Sequence, residues 1–321
     1  MKELPFLKLI HDDLERVEAL LRERPPGRHE AIGMALDHLL GSGGKRVRPA
    51  LVLLSAHLCG ADMDQAIFPA ASVEMLHTAT LIHDDLIDDS LMRRGMETLN
   101  SHWTPAATVL TGDYIFARAA HLAAQIDNVR LMQRFAETLM IICNGEIQQM
   151  FDKQRGLVSR QEYEQRIDAK TGALIAMSSE TGAILAGMDG EVAQALRTYG
   201  THLGLAFQIV DDVLDFVANE ETLGKPVGSD LRQGLVTLPV LLFLEVEPDH
   251  PAIQQALRGN PSGEAVQEAV EAVVDSPAIG QALDVARKHA EQAKETLDRF
   301  PLTPYRTALL DLVDFTIDRR F

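Results

Sequence analysis

Two short groups of aspartate are the residues of this sequence best suited to chemistry. Both have the spacing Asp-Asp-x-x-Asp, and their members are Asp84, Asp85, Asp88, Asp211, Asp212 and Asp215. Residues four apart share one face of a helix, so each group brings its carboxylates close together. Such carboxylates repel one another unless a cation lies among them, and Mg²⁺ prefers oxygen ligands. The pattern therefore predicts that each group binds magnesium.

The alternative for either group alone is a solvated helix end, because runs of charge are usually exposed. Apolar neighbours argue against it: Leu86 and Ile87 lie within the first group, and Val213 and Leu214 lie within the second. Like charges that are partly buried need a compensating cation. Aspartate makes up 25 of the 321 residues, so two chance occurrences of this spacing are improbable. An EF-hand calcium loop is excluded, because its acids alternate around a central glycine.

Basic and amide side chains accompany both aspartate groups. Glycine lets the backbone approach a ligand closely, and Lys and Arg supply charge and fork-shaped donors for phosphate. Each of these residues alone could belong to a solvated surface, and a lone histidine is more often a packed core residue. Together they favour a diphosphate held by Mg²⁺ and by cationic side chains. The accompanying residues are Lys45, Arg46, Arg48, His77, Arg93, Arg94, Lys170, Thr171, Gln208 and Lys225, with His83 expected to be structural.

Helices are the elements that must position these side chains, because helical periodicity dominates and alternating strand patterns are scarce. We expect loops at 92–101 and 220–234. The sequence contains nothing that resembles a flexible linker, so we predict one all-α domain over residues 1–321. The predicted helices cover 2–24, 29–40, 49–59, 64 to the first aspartate group, 105–124, 128–154, 160–187, 190–218, 236–246, 251–258, 263–274, 277–299 and 303–318.

The composition limits the class of protein. The formal net charge of −17 argues against nucleic acid or an anionic membrane surface as a general partner. Cys59 and Cys143 lie in apolar helical contexts without metal-like spacing, and we expect both to be reduced core residues. The first residues lack the pattern of a signal peptide, and no apolar run is long enough to cross a bilayer. These features predict a cytoplasmic protein.

Six segments in order along the chain resemble the trans-prenyltransferases, that is, the isoprenyl diphosphate synthases. They read GGKRVRP (43–49), HTATLIHDDLIDDSLMRRG (77–95), GDY (112–114), KT (170–171), FQIVDDVLD (207–215) and GKPVGSD (224–230). The resemblance covers essentially the whole chain. It implies an all-α bundle with a central cavity, the two aspartate helices facing across it, and about three Mg²⁺ ions bound to an allylic diphosphate.

The resemblance also assigns roles to matching positions. Asp84, Asp85, Asp88, Asp211 and Asp212 would be catalytic together with Lys170, and Asp215 would complete the metal ligands. Isopentenyl diphosphate would be held by Lys45, Arg48, His77 and Arg94. The allylic diphosphate would be held by Arg93, Lys170, Thr171, Gln208 and Lys225.

One position departs from the family pattern. The family often has Gly-Lys-x-Thr after the second aspartate group, whereas this chain has Leu235 at the lysine position. We expect the missing cation to weaken allylic binding. The same departure and the basic end DRRF resemble the catalytic subunits of two-component heptaprenyl or hexaprenyl diphosphate synthases, so we expect a homodimer or a heterodimer with a small regulatory subunit.

The chemistry implied is ionisation of the allylic C–O bond, because Mg²⁺ and cationic side chains neutralise the departing diphosphate. The double bond of isopentenyl diphosphate then attacks the allylic cation, and loss of a proton leaves a chain one isoprene longer. Ala79 and Thr80 lie roughly 6–8 Å deeper than Asp84 along the same helix. Both are small, so we predict a product of about C30 to C40 for a quinone such as menaquinone.

Three other functions remain open at this stage. A farnesyl or geranylgeranyl diphosphate synthase would share the motifs and differ in product length. A class I terpene cyclase would use the metals without a second substrate, but such enzymes typically lack paired DDxxD groups and the KRVR segment. A non-catalytic prenyl-binding subunit is disfavoured by the six intact acids. For any of these we expect at most peripheral membrane contact.

Overall fold

The described residues of the computed structural model are almost entirely helical. They comprise residues 5–24, 29–41, 44–93, 95–152, 157–218, 227–257 and 261–318. The only strands within these ranges are β1 (Met92–Arg93) and β2 (Met96–Glu97), an antiparallel pair in which Met92 faces Glu97 and Arg93 faces Met96. The predicted all-α class is confirmed.

The described chain divides into two compact units, although some helices carry residues of both. The first unit is Met1–Glu137, Ala176–Arg197 and Arg299–Asp311, and the second is Thr138–Ile175, Thr198–Asp298 and Leu312–Phe321. One domain over residues 1–321 remains a prediction. The helices before residue 125 are α1 (His11–Arg22), α2 (Glu30–Gly41), α3 (Val47–Cys59), α4 (Met63–Ile87), α5 (Leu99–His102) and α6 (Pro105–Ala124).

The remaining helices follow in chain order. They are α7 (Val129–Asp152), α8 (Arg160–Ile167), α9 (Ala173–Leu185), α10 (Gly190–Val217), α11 (Ser229–Arg232), α12 (Leu238–Val246), α13 (Pro251–Ala256), α14 (Gly263–Val274), α15 (Ala278–Thr296) and α16 (Pro304–Ile317). Two 3₁₀ segments, Pro5–Ile10 and Leu297–Arg299, and one π-helical segment, Asp168–Gly172, complete the described helical structure.

Side chains at helix starts satisfy backbone N–H groups that have no partner within the helix. Asp62 caps α4, and Thr104 caps α6 immediately before Pro105, whose fixed φ suits a first helical position. Ser159 and Glu162 form a reciprocal capping box at α8. These signals explain why the predicted starts of α4, α6 and α8 lie within one residue of the observed ones.

In the first unit, α4 packs closely against α6. Ser72 of α4 donates a hydrogen bond to the Ala119 carbonyl of α6 (2.7 Å). Near the other end of α4, a Cβ atom at Gly112 would lie 2.2 Å from Nε2 of His83, so any larger residue there would displace the His83 ring. The His83 ring also contacts Phe116. His83 therefore helps to pack the helix that ends in the first aspartate group.

In the second unit, α10 packs against the segment that follows α8. A Cβ atom at Gly204 would lie 2.7 Å from the Cα of Gly172, a distance that backbone atoms cannot tolerate. Glycine at both positions permits this close approach. The hydrophobic core of the unit contains Tyr163, Ile209, Val213, Leu231 and Ile253.

The structure differs from the sequence-based expectations in four places. Both segments expected as loops contain regular structure: 92–101 contains the β1–β2 hairpin and α5, because Gly95 adopts a positive φ that allows the tight turn, and the described part of 220–234 contains α11. The helix expected at 160–187 is interrupted by the π-helical segment. Of the helix expected at 2–24, residues 2–4 lie outside the described residues and Pro5–Ile10 form a 3₁₀ segment, because the backbone dihedrals of Ile10 are not α-helical.

The fourth difference is a cysteine. Cys59 is buried as expected, and burial raises the pKa of its thiol to about 11. Cys143, however, is exposed on α7, so the prediction that both cysteines lie in the core is wrong for this one. Of its apolar neighbours in the sequence, Met140 is exposed and Ile142 is buried, so an apolar context on this helix does not place a residue in the core. Over the described residues, none of the helices combines the length and the hydropathy needed to cross a bilayer.

Candidate active site

The first aspartate group lies where α4 ends. Asp84 and Asp85 occupy the last helical turn, and Asp88 is the C-terminal capping residue, whose backbone N–H donates to the Asp84 carbonyl (2.9 Å). Asp85 is buried, whereas Asp84 and Asp88 are half-buried. The chain leaves the helix through Asp89, which adopts a positive φ. The group therefore sits at a helix end, with one buried and two half-buried carboxylates.

Arg93 connects the hairpin to this group. Its Nε donates to Oδ1 of Asp85 (2.7 Å), and the Gly95 turn places it there. Burial raises the pKa of Asp85, Arg93 opposes this change, and the charge of Asp88 adds to it. Burial thus disfavours the ionised form of this carboxylate, and a bound cation would favour it. Arg94 lies outside the described residues.

Other predicted residues share the open face of α4. His77, Thr80, Asp84 and Asp88 follow one another at spacings of three and four, and all are half-buried. Ala79 lies on another face and is fully buried. Thr80 donates a hydrogen bond to the His77 carbonyl (2.8 Å), which fixes its hydroxyl on the helix. The structure thus separates the two small residues that were both expected beneath Asp84.

The basic segment before α3 contains residues in different environments. Arg46 adopts a left-handed conformation and pairs with Glu18 and with Glu74 (Nη1–Oε1 2.8 Å). Lys45 is exposed, and Arg48 is half-buried at the start of α3. Arg46 therefore anchors the segment to α1 and α4, and the binding of a phosphate by Lys45 and Arg48 remains a prediction.

The second aspartate group lies near the C-terminal end of α10. Asp211 is half-buried, and Asp212 and Asp215 are buried. The backbone N–H of Asp230 donates to Oδ2 of Asp215 (3.0 Å), and the N–H of Gly228 donates to the Asp215 carbonyl (2.8 Å). Asp215 therefore holds residues 228–230, which follow the second group in the sequence, against the end of α10. Lys225 lies outside the described residues.

Asp212 is the best-defined carboxylate of the second group. Its Oδ1 accepts from Nε2 of Gln208 (2.9 Å), and its Oδ2 accepts from the Tyr163 hydroxyl (2.7 Å). Burial, followed by the charge of Asp230, raises the pKa of Asp212 to about 7, although Gln208, Tyr163 and Arg166 oppose this change. A divalent cation would lower the free energy needed to ionise this buried carboxylate.

The π-helical segment carries the predicted Lys170 and Thr171. The Thr171 hydroxyl donates to Oε1 of Gln208 (2.7 Å), so Thr171, Gln208 and Asp212 form a continuous chain of hydrogen bonds. The Nζ of Lys170 lies 3.3 Å from Oε1 of Glu146 on α7. Short π-helical segments occur frequently at functional sites, because they displace side chains from the regular helical register.

Each unit thus gathers its own predicted residues, and both sets of donors fit Mg²⁺. In the first unit the structure brings Asp85 and Arg93 together, and in the second it brings Thr171, Gln208 and Asp212 together. Carboxylate oxygens are the ligands that this hard cation selects, and burial, which raises the pKa values of Asp85 and Asp212, makes a neighbouring cation favourable for their ionised forms. The expectation that the two groups face each other remains a prediction.

Sequence reasoning missed three residues near the second group. They are Tyr163 and Arg166 of α8 and Asp230 of α11. Tyr163 precedes Lys170 by seven residues, or two helical turns, which could have indicated a shared face. The π-helical segment between them changes that register, so the contact with Asp212 was not predictable from spacing.

Comparison with known proteins gives a consistent result. Residues 29–276 match the family model described as polyprenyl synthetase. The chain is 39% identical over 313 residues to heptaprenyl diphosphate synthase component 2 of Geobacillus stearothermophilus, covering 97% of each chain. It is 34% identical to octaprenyl diphosphate synthase of Haemophilus influenzae, covering 98% of this chain and 96% of the relative.

A solved structure has the same architecture. Polyprenyl synthase from Caulobacter crescentus, crystallised with calcium and isoprenyl diphosphate, superposes with a TM-score of 0.92 at 37% identity, covering 98% of this chain and 97% of that one. The likeness extends over nearly the whole length of both chains, so it includes both aspartate groups.

Proposed function

The chain belongs to the polyprenyl synthetase family, and from this premise we propose that it is a medium- or long-chain trans-polyprenyl diphosphate synthase. It is a prenyltransferase that condenses isopentenyl diphosphate with an allylic diphosphate such as farnesyl diphosphate. The observation that carries the proposal is the pair of aspartate groups, each with a buried carboxylate of raised pKa and nearby cationic or amide side chains. A heptaprenyl and an octaprenyl synthase among the relatives support a product of about C30 to C40.

The acidic residues of this chain would hold divalent cations, and its basic residues would contact the diphosphate. The carboxylates Asp84, Asp88 and Asp211 are open enough to hold divalent cations, and Asp85, Asp212 and Asp215 are held by neighbouring donors. When bound, Mg²⁺ supplies the positive charge that stabilises the departing diphosphate. Lys170 and Arg93 add fixed positive charge at the same stage. The half-buried face of α4, which carries His77, Thr80 and Asp84, would position the reacting prenyl chain along this helix.

The two substrates would use different parts of the chain. Isopentenyl diphosphate is assigned to Lys45, Arg48, His77 and Arg94. The allylic diphosphate is assigned to Arg93, Lys170, Thr171, Gln208 and Lys225. The π-helical segment supports this assignment, because it orients Thr171 and Gln208 as one hydrogen-bonded unit. About three Mg²⁺ ions would accompany the allylic diphosphate.

We further infer that the chain acts as one subunit of a dimer, as a homodimer or with a small regulatory subunit. The support is the similarity to a protein named as component 2 of its synthase. The product would provide the side chain of a quinone such as menaquinone. A cytoplasmic enzyme with peripheral membrane contact would suit release of so apolar a product.

A single incubation separates this function from its rivals. The chain is supplied with Mg²⁺, radiolabelled isopentenyl diphosphate and farnesyl diphosphate, with and without a candidate small subunit, and the products are chromatographed. A synthase gives label in prenyl chains of about C30 to C40. A terpene cyclase gives unlabelled hydrocarbon, and a prenyl-binding subunit gives no product under either condition.

Asp211→Asn provides the matched control for that experiment. The amide keeps the shape of the side chain and removes its charge, so cation binding is lost while the fold is kept. We expect the labelled product to fall by about a hundredfold or more. Full activity in this variant would contradict the role of the second group.

A further inference from the structure

The Asp212 carboxylate is held from both sides by side chains of the second unit. Gln208 reaches Oδ1 from the same helix, one turn earlier, and Tyr163 reaches Oδ2 from α8. Both bonds are short, at 2.9 and 2.7 Å, and Asp212 is only 4% exposed. The plane of the carboxylate is therefore determined by two donors on two different helices.

The Tyr163 hydroxyl is a permanent donor in this arrangement. Its side chain is completely buried, so water has no direct access to replace it. Its proton is directed at Oδ2 of Asp212, over a distance of 2.7 Å between the two oxygens.

Arg166 holds Tyr163 in place. Its guanidinium carbon lies 5.5 Å from the centre of the Tyr163 ring, and its Nη2 donates to the Val236 carbonyl (2.5 Å). The two residues are three apart on α8 and so share a face. A cation over an aromatic ring is attracted by the ring face. Arg166 therefore connects α8 to the residues just before α12 and restrains the tyrosine between them.

We propose that Tyr163 is a positioning residue of the reaction, which orients Asp212 for a divalent cation at the second aspartate group. The inference rests on the proposed function and adds a residue to it. Partners that hydrogen-bond to a metal-binding carboxylate commonly change metal affinity by about 10-fold to 100-fold when they are removed. The hydroxyl acts through Asp212 and touches neither substrate.

Tyr163→Phe tests this role, with Tyr199→Phe as the matched control. Tyr199 is also completely buried and lies on α10, the helix that carries Asp212, so its variant removes an equivalent hydroxyl away from the carboxylate. Binding is measured directly by the loss of the free Mn²⁺ electron paramagnetic resonance signal, with inorganic diphosphate present. Activity is measured in parallel as a function of Mg²⁺ concentration.

We expect Tyr163→Phe to weaken Mn²⁺ binding by about 10-fold and to raise the half-saturating Mg²⁺ concentration similarly. The KM for isopentenyl diphosphate should stay within about twofold, because its assigned residues lie elsewhere in the sequence. Tyr199→Phe should leave both cation measurements unchanged. Equal Mn²⁺ affinity in Tyr163→Phe and the unchanged protein, or equal weakening in Tyr199→Phe, would overturn the inference.

A second variant covers the case in which Tyr163→Phe does not fold. Arg166→Gln keeps the tyrosine hydroxyl and releases the ring, and we expect it to weaken Mn²⁺ binding by about threefold. Arg160→Gln, on the exposed part of the same helix, is its control, and equal affinities in these two variants would overturn the inference. Failure of the proposed function can be distinguished from failure of this inference, because the unchanged protein would then give no elongated product.

Discussion

At the scale of single residues, burial separates side chains that are neighbours in the sequence. Thr80 shares the half-buried face of Asp84, whereas Ala79 is enclosed, although both precede the aspartate by about one turn. Lys45 and Arg46 show the same effect, because one is exposed and the other is paired with two glutamates. The environment of a side chain therefore decides between binding a ligand and holding the fold.

Product length should respond to an aromatic residue at Thr80, which shares the half-buried face of Asp84. Phe at this position fills space one turn before Asp84, so we expect Thr80→Phe to give shorter prenyl chains by chromatography. Ala79→Phe should instead lower the free energy of unfolding by about 1–3 kcal/mol, because Ala79 is fully buried on another face and the larger side chain overpacks a full core. Denaturant titration measures that difference. Unchanged product length in Thr80→Phe would refute a role of this residue in setting it.

At the scale of elements, glycine contacts set the approach of helices around the second aspartate group. The close approach of Gly204 and Gly172 allows Thr171 to reach Gln208. The π-helical segment supplies the extra residue that displaces Lys170 and Thr171 from the helical register. The hydrogen-bond chain to Asp212 thus depends on backbone contacts.

Gly204→Ala should disturb that chain. The new Cβ atom would lie 2.7 Å from backbone, so we expect an unfolding free energy lower by about 1–3 kcal/mol and a reduced kcat. Gly280→Ala is the matched control: it lies within α15 with nothing within 4 Å of the new atom. It should raise stability by roughly 0.5–1 kcal/mol, since alanine favours helix. Denaturant titration and steady-state rates check both variants, and similar values for the two would contradict this packing.

A histidine pair between α10 and α15 should make stability depend on pH. The Nδ1 atoms of His202 and His289 lie 3.1 Å apart, and burial lowers the pKa of both; Glu164 and Arg160 act on His289 in opposite directions. The unfolded chain therefore binds protons more readily than the folded one. Stability should be fully present above the usual histidine pKa of 6.5 and should fall as the pH drops below it.

Unfolding by urea between pH 5 and 8 measures this effect. His202→Asn keeps a neutral hydrogen-bonding atom near the same place and should flatten the decline below pH 6.5. The control is His121→Asn, which changes an exposed histidine of α6. A decline equally steep in His202→Asn and in the unchanged protein would exclude the pair as its source.

At the scale of the whole molecule, α7 presents an exposed apolar face in the described structure. Met140, Ile147 and Phe151 are 64%, 54% and 66% exposed and share one side of the helix. Apolar patches of this kind commonly mark sites of protein association. The face therefore supports the proposal that the chain works as part of a dimer.

Charge on this face should prevent association. The chain has a mass of 35.3 kDa, so light scattering should give twice that value for a homodimer. The double variant Ile147→Glu, Phe151→Glu should give the single-chain mass. Leu302→Glu, which changes a side chain 87% exposed in the first unit, should keep the mass of the unchanged protein. If the unchanged protein instead has the single-chain mass, and this mass increases only when a small subunit is added, the heterodimer is favoured.

The sequence predicted most helices because their signals are local. Capping residues such as Thr104 and Ser159 fix helix starts, and the periodicity of α4, α6 and α10 reports which faces are apolar. The π-helical segment and the hairpin were missed for the opposite reason. The first depends on packing of Gly172 against Gly204, and the second on a turn at Gly95, so neither has a periodic signal.

The sequence by itself predicted the class of chemistry, because two groups of three aspartates with adjacent cations favour a hard cation and an anionic substrate. It also determined the all-α class through the spacing of apolar residues. Only the tertiary structure decided that Asp212 is oriented by Tyr163, that Arg46 is a structural ion pair, and that Cys143 is exposed. These facts depend on contacts between residues distant in the chain, and such contacts leave no local pattern.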